Sequence, residues 1–155
     1  MRGGDHALAP MSCSVSVMIH HEGTKGTKDT KERALVVSQA VLGGAIEVHR
    51  QLGPGLLESV YESALCRELW LRGLRVERQV PIPVCYKGAE LGTGIRVDLL
   101  IERLVVVEVK ACEKLTTIHR AQLLTYLKLT GHKVGLLINF NVELLRHGMR
   151  RVLNG

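Results

Sequence analysis

A single stretch, Arg96 to Lys110 (RVDLLIERLVVVEVK), limits what this chain can fold into. Its apolar residues fall into two runs of strand length separated by Glu102 and Arg103, the pattern of a buried β-hairpin. Three charges interrupt that pattern. Asp98 precedes Leu99, Leu100 and Ile101, while Glu108 and Lys110 lie inside the second run. Glu108 and Lys110 are two apart, so a strand projects both from one face. Antiparallel pairing around an odd-numbered loop such as Glu102–Leu104 sets position 98 opposite 108 and adds Asp98 to the same patch. Two carboxylates and an ammonium then converge on an otherwise apolar sheet. Burying them is costly unless they are paired or hold a metal. Asp98 is also the only aspartate between Lys31 and Gly155, so a generous supply of acids does not explain its place. The plain alternative is a salt bridge in which Lys110 neutralises Glu108 and Asp98 faces solvent from an edge.

With 155 residues, 46% of them apolar, the chain is long enough for one domain with a sizeable core. No apolar run approaches the roughly 20 residues that cross a bilayer, which predicts a soluble, cytoplasmic protein with no membrane partner. Ala7 to Ile19 is broken by Pro10 and several serines and runs into His20, His21 and Glu22, unlike a secretory signal. Cys13, Cys66, Cys85 and Cys112 are scattered, without a CxxC pair or a Cys/His cluster at zinc spacing, and are read as reduced thiols. The formal net charge is +6. Residues 31–155 carry all of that excess, with eighteen Lys and Arg against twelve Asp and Glu. A basic domain with a small acidic cluster suits a polyanionic partner whose phosphates meet metal rather than bare carboxylates. Aromatics make up only 3%, which argues against a base-stacking platform for single strands.

Along the chain, residues 1–31 read as a flexible or disordered leader ending in GTKGTKDTK, with Met18 as an alternative start and His20–His21 too isolated for a metal site. Residues 32–155 form the domain. A first helix is predicted from Glu32 to about Gln51, carried by Leu35, Val36, Val41, Leu42, Ile46 and Val48 despite Gly43 and Gly44. LGPG (Leu52 to Gly55) turns the chain into a second helix from about Gly55 to Arg72, with Gly73 as its stop and Leu57, Val60, Ala64, Leu65 and Leu69 as its apolar stripe. Glu58 and Tyr61 share a face of it, with Glu62 beside them. Leu74 to Tyr86 alternates as a strand, with Pro81 and Pro83 marking an edge or bend. After the two charged strands, Thr116 or Thr117 caps a helix to Thr130, closed by Gly131. His119, Gln122 and Tyr126 share one face of it. Lys133 to Phe140 is a further buried strand, and the tail is a short helical turn and an edge strand. The order α-α-β-β-β-α-β predicts a central mixed sheet flanked by helices.

Asp98 followed after nine residues by Glu108-Val109-Lys110 resembles the D…ExK motif of the PD-(D/E)XK nuclease superfamily, with Val97 in place of its usual proline. GLLESVYESAL (Gly55 to Leu65), AQLLTYLKLTG (Ala121 to Gly131) and GLLINFNV (Gly135 to Val142) look more closely like the bacterial GxxExxY proteins, the motif here being Gly55, Glu58 and Tyr61. The resemblance covers roughly residues 33–155. It implies a restriction-endonuclease-like α/β (α+β) fold with an αβββαβ core, and magnesium-dependent hydrolysis of phosphodiester bonds, with DNA favoured as substrate and manganese as a substitute ion. Asp98, Glu108 and the Val109 carbonyl are implied as metal ligands, with Glu58 binding directly or through water. Lys110 is implied to steady the attacking hydroxide or the phosphorane charge, with Gln122 and Tyr126 orienting it and the substrate phosphate. His119 reaches the same face, though an ordinary surface histidine is the simpler account of it. The chemistry is coherent in itself, since hard carboxylate oxygens suit magnesium and an ammonium adds electrostatic stabilisation. A domain this small would cut both strands of a duplex most easily as a homodimer. The alternative is a non-catalytic nucleic-acid-binding or protein-interaction module that keeps the fold.

Overall fold

The computed structural model describes residues 24–92 and 94–155. Met18, the His20–His21 pair and Cys13 lie outside the described residues, as does the leader up to residue 23. Helix α1 spans Thr24–Leu52. Its first turns therefore occupy Thr24 to Lys31, which the glycines and threonines mark as linker in the sequence. A helix nucleated on a packed downstream segment propagates readily through Lys- and Asp-bearing residues of ordinary helix propensity.

The buried face of α1 is made by Ala34, Ser38, Val41, Ala45 and Val48, a strict alternation of four- and three-residue steps. Val36 and Ile46, expected in the stripe, are 71% and 50% exposed. Small residues win the inner face because α1 lies close to the next helix: a Cβ on Gly44 would meet Leu69 Cδ2 at 2.8 Å. The glycine that weakens the helix prediction is the point of close approach. Ser38 satisfies its buried hydroxyl by donating to the Leu35 carbonyl at 2.7 Å.

Helix α2 spans Glu58–Leu71, three residues shorter at its start than expected. Gly53 and Gly55 adopt φ of 67° and 96°, left-handed values that hold the preceding residues in a loop. The Tyr61 hydroxyl fastens that loop, donating to the Gly53 carbonyl at 2.6 Å and accepting from the Leu56 N–H at 3.0 Å. Tyr61 is fully buried and stacks on Phe140 with ring centroids 4.6 Å apart. The inner face of α2 is Tyr61, Glu62, Leu65 and Leu69. Leu57 and Val60 point outward, one step round the helix from the predicted stripe.

Strand β1 is Val76–Ile82, and a two-stranded hairpin of β2 Cys85–Tyr86 and β3 Ala89–Glu90 comes next in the chain. The stretch expected as one strand from Leu74 to Tyr86 is thus divided after Ile82, where Pro83 cannot donate to a ladder. The remaining strands are β4 Ile95–Ile101, β5 Val105–Lys110, β6 Val134–Asn139 and β7 Met149–Leu153. With β1 they form a five-stranded sheet in the order β1-β4-β5-β6-β7. Within it β5 and β6 are parallel, joined by helix α3 Thr117–Thr130, and the other pairs are antiparallel. Thr116 caps α3 and left-handed Gly131 ends it. One core cluster packs α1 and α2 on the sheet. A second, with Val106, Leu123, Leu127, Leu137 and Val152, packs α3 on the sheet. This is the mixed sheet between helices that the chain order predicts. Among the described residues Cys66 and Cys112 carry free thiols. No helix among the described residues is long and apolar enough to cross a membrane.

Candidate active site

The β4–β5 hairpin turns at Glu102 and Arg103, both left-handed with φ of 51° and 55°, which suits a tight hairpin between right-twisted strands. Its register pairs Leu99 with Val107, Leu100 with Val106 and Ile101 with Val105. One step further on, where that ladder ends, Asp98 meets Glu108. The Asp98 N–H donates to Glu108 Oε1 at 3.2 Å. In return the Val109 N–H donates to Asp98 Oδ2 at 2.8 Å. Side-chain oxygens thus take over from carbonyls as the two strands part.

The setting is unfavourable to charge. Glu108 is only 4% exposed, and burial, followed by the neighbouring Asp98 charge, pushes its carboxyl up to about 8. Asp98 is half-buried, and its carboxyl is also raised, chiefly by burial, with a smaller contribution from Glu62 and against the Val109 hydrogen bond. Lys110 is half-buried at the end of β5 and favours both ionised carboxylates through its field. Among the described residues it makes no ion pair. The plain salt-bridge alternative is therefore not what the chain builds.

Helix α3 supplies the next layer. Tyr126 packs beside the second core cluster, and its phenol is raised by burial and then by the field of Glu108, with a smaller contribution from Asp98. Gln122 donates to the Tyr126 hydroxyl at 3.0 Å. His119 is spent on the helix cap, its Nδ1 accepting from the Thr116 N–H at 3.1 Å. Below the site, buried Asn139 ties down the chain that leaves β5: its Oδ1 accepts from the Cys112 N–H at 3.1 Å and its Nδ2 donates to the Cys112 carbonyl at 2.9 Å.

Asp98, Glu108, Val109 and Lys110 are thus brought together, with Tyr126 and its partner Gln122 alongside. Glu58 is exposed at the first position of α2, one turn before Glu62 and on the same side of the helix, and makes no described hydrogen bond or ion pair with the acid pair. The acid of α2 that reaches the site is Glu62, one turn further on, 7% exposed. Glu62 accepts from the Gln79 side chain at 3.1 and 3.0 Å and pairs with Arg78 at 3.3 Å. Its position next to Tyr61 on the helix carried the signal: once Tyr61 points inward, Glu62 must lie at the margin of the same face. Gln79 had no such signal. Among the described residues no three His, Cys, Asp or Glu side chains gather tightly enough to hold a metal by themselves.

A mixed sheet enclosed by helices, with an acid pair and a lysine where its central antiparallel strands separate, defines a restriction-endonuclease-like domain. The family model of the PD-(D/E)XK nuclease superfamily matches residues 36–152, and the chain belongs to that superfamily. No curated protein and no solved structure matches it significantly.

Proposed function

We propose that this protein is a magnesium-dependent nuclease that hydrolyses phosphodiester bonds in DNA, with manganese able to replace magnesium. The observation that carries the reading is the acid pair: Glu108 is 4% exposed, lies against Asp98, and neither acid has an ion pair among the described residues. Carboxylates left in that condition suit a cation from outside the chain. Two of them, with the Val109 carbonyl, make a hard-oxygen set fitted to magnesium, which commonly takes one or two carboxylates and leaves its other positions to water and substrate oxygens. Asp98, Glu108 and the Val109 carbonyl would hold the ion, which when bound acidifies a water and offsets charge on the scissile phosphate.

The chain's own groups have separate tasks. The main-chain N–H groups of Asp98 and Val109 hold Glu108 Oε1 and Asp98 Oδ2 respectively, which orients both carboxylates toward a shared ligand. Lys110, half-buried and without an ion pair among the described residues, stabilises the charge that develops on the phosphoryl oxygens. Tyr126, steadied by Gln122, orients the substrate phosphate. Support from α2 comes through Glu62, which is held by Gln79, with Glu58 one turn earlier on the same helix able to bind the ion directly or through water. Because Glu108 holds its proton up to about 8, taking up the ion displaces that proton, and affinity rises with pH through neutrality.

The Gly55-Glu58-Tyr61 pattern supports a place among the bacterial GxxExxY proteins, and the basic excess of residues 31–155 supports a polyanionic substrate. A cytoplasmic location and a homodimer for double-strand cutting complete the proposal. It is tested by incubating linear duplex, plasmid, single-stranded and branched DNA, and RNA, with the protein in magnesium and then manganese, beside Asp98→Ala and Lys110→Ala. Metal-dependent cutting lost in both variants is the expected result. No cutting on any substrate, with no magnesium effect on melting, would leave a nucleic-acid-binding or interaction module in its place.

A further inference from the structure

Four residues other than glycine have left-handed backbones among the described residues: Gln79, Lys87, Glu102 and Arg103. Three of them serve hairpin turns, Lys87 between β2 and β3 and the other two between β4 and β5. Gln79 alone lies in the middle of a strand, with φ of 50°. A side chain with a Cβ adopts that conformation there only when its surroundings impose it.

The position explains what is gained. Arg78 pairs with Leu99 and Val80 with Val97, so Gln79 stands across from Asp98. Strand alternation would keep Val76, Val80 and Ile82 on one face. Instead Val76 packs on the cluster under α1 and α2, while Val80 and Ile82 pack on the cluster under α3. β4 makes the same exchange, with Val97 in the second cluster and Leu99 in the first. Asp98 and Gln79 are the residues at which both strands change faces. The Gln79 side chain is thereby brought between Glu62 of α2 and Asp98 of β4. Its Nε2 donates to Glu62 Oε1 at 3.1 Å, to Glu62 Oε2 at 3.0 Å and, in a longer contact, to Asp98 Oδ1 at 3.4 Å. Its carbonyl is held by Arg96 Nη1 at 3.1 Å.

We propose that Gln79 is a positioning residue of the nuclease site, whose amide sets the orientation of the Asp98 carboxylate and couples it to Glu62 of α2. The inference rests on the metal-site reading given above and extends it to a residue that the D…ExK pattern does not contain. Asp98 Oδ2 is fixed by Val109, and Gln79 fixes the other oxygen, so the plane of the carboxylate is defined from two sides. An amide suits the task because it donates without carrying charge. A lysine or arginine at 79 would neutralise Asp98 and Glu62 and compete with a cation for them.

Gln79→Gly separates the two roles of the residue, since glycine accepts the left-handed backbone at no steric cost while lacking the amide. Three readouts are taken on wild type, Gln79→Gly and Gln79→Glu: the melting temperature, Mn2+ affinity by calorimetry, and the magnesium dependence of cleavage. The Gln79 side-chain amide is also followed by 15N NMR in wild type and Glu62→Ala. The expected result for Gln79→Gly is a melting temperature equal to or above wild type, with Mn2+ binding about tenfold weaker and cleavage at least tenfold slower. The amide resonance should move in Glu62→Ala, and Gln79→Glu, which adds a repelling carboxylate, should not restore cleavage. A Gln79→Gly protein that binds Mn2+ and cleaves like wild type overturns this inference alone. A wild type that neither binds Mn2+ nor cleaves overturns the nuclease reading and this inference with it. A wild type that binds Mn2+ without cleaving removes the nuclease reading while Mn2+ affinity still decides the role of Gln79.

Discussion

The two ends of the β4–β5 hairpin treat charge in opposite ways. At the turn, Glu102 lies 3.9 Å from Arg75, and Glu77 of the neighbouring strand pairs with Arg103 at 2.9 Å. Each acid there has its arginine, and the arginines are 64% and 72% exposed. At the open end, a few residues away on the same strands, Glu108 is buried against Asp98 and neither has an ion pair among the described residues. Exposed pairs of the first kind are worth about 0–1 kcal/mol each and are screened by salt. The second arrangement costs stability in the metal-free protein, because burial and mutual repulsion both act against ionisation. The fold solves its charge problem at one end of the hairpin and leaves it unsolved at the other, and the proposed site lies where the problem remains.

The contrast is broken most severely by removing charge at the open end. Lys110→Ala should lower metal-dependent cleavage by about a thousandfold, the scale of losing one electrostatic donor or more. Arg103→Ala, at the turn, should stay within about twofold in the same plasmid-nicking assay. Equal losses in the two variants would erase the distinction. Next in size is the response to metal. With magnesium at about a hundred times its Kd, wild type should gain about 2.7 kcal/mol, roughly 6 °C in thermal melting for a chain of this size. Asp98→Asn should gain little of it.

The effect of pH is of similar scale and has a defined sign. Glu108 is raised from 4.5 to about 8, so the folded state binds more protons than the unfolded state between those values, and metal-free stability falls as pH rises through that window. Glu108→Gln should flatten the decline and raise the melting temperature at pH 8 by roughly 5 °C. A wild-type melting curve that instead improves from pH 5 to 8 would show that the pair is not desolvated as described. The smallest effect belongs to the turn: Glu77→Ala should cost under about 1 kcal/mol, and less in high salt.

Much of this was legible in the chain itself. The succession of helices and strands, the mixed sheet between helices and the meeting of Asp98 with Glu108 follow from apolar periodicity and one loop length, whereas the order of strands in the sheet does not. What was not legible shares a cause. Ala34, Ser38 and Ala45 are weak apolar signals, so the strongly apolar Val36 and Ile46 drew the predicted face of α1 away from the true one. The burial of Glu62 was not legible because it depends on which way Tyr61 turns. Gln79 is a conformational exception, and a residue that departs from strand alternation leaves no trace in a pattern defined by alternation.

The tight turn at Glu102 and Arg103 also bears on the order of events during folding. Asp98 and Glu108 are joined by a short loop, so their encounter carries little closure entropy compared with the docking of either helix. The hairpin can therefore bring the two acids together while water still surrounds them, and desolvation arrives only when α2 and α3 close over the sheet. Relief of that late cost belongs to steps after the hairpin forms. In stopped-flow kinetics at pH 8, Glu108→Gln should accordingly slow unfolding more than it speeds folding.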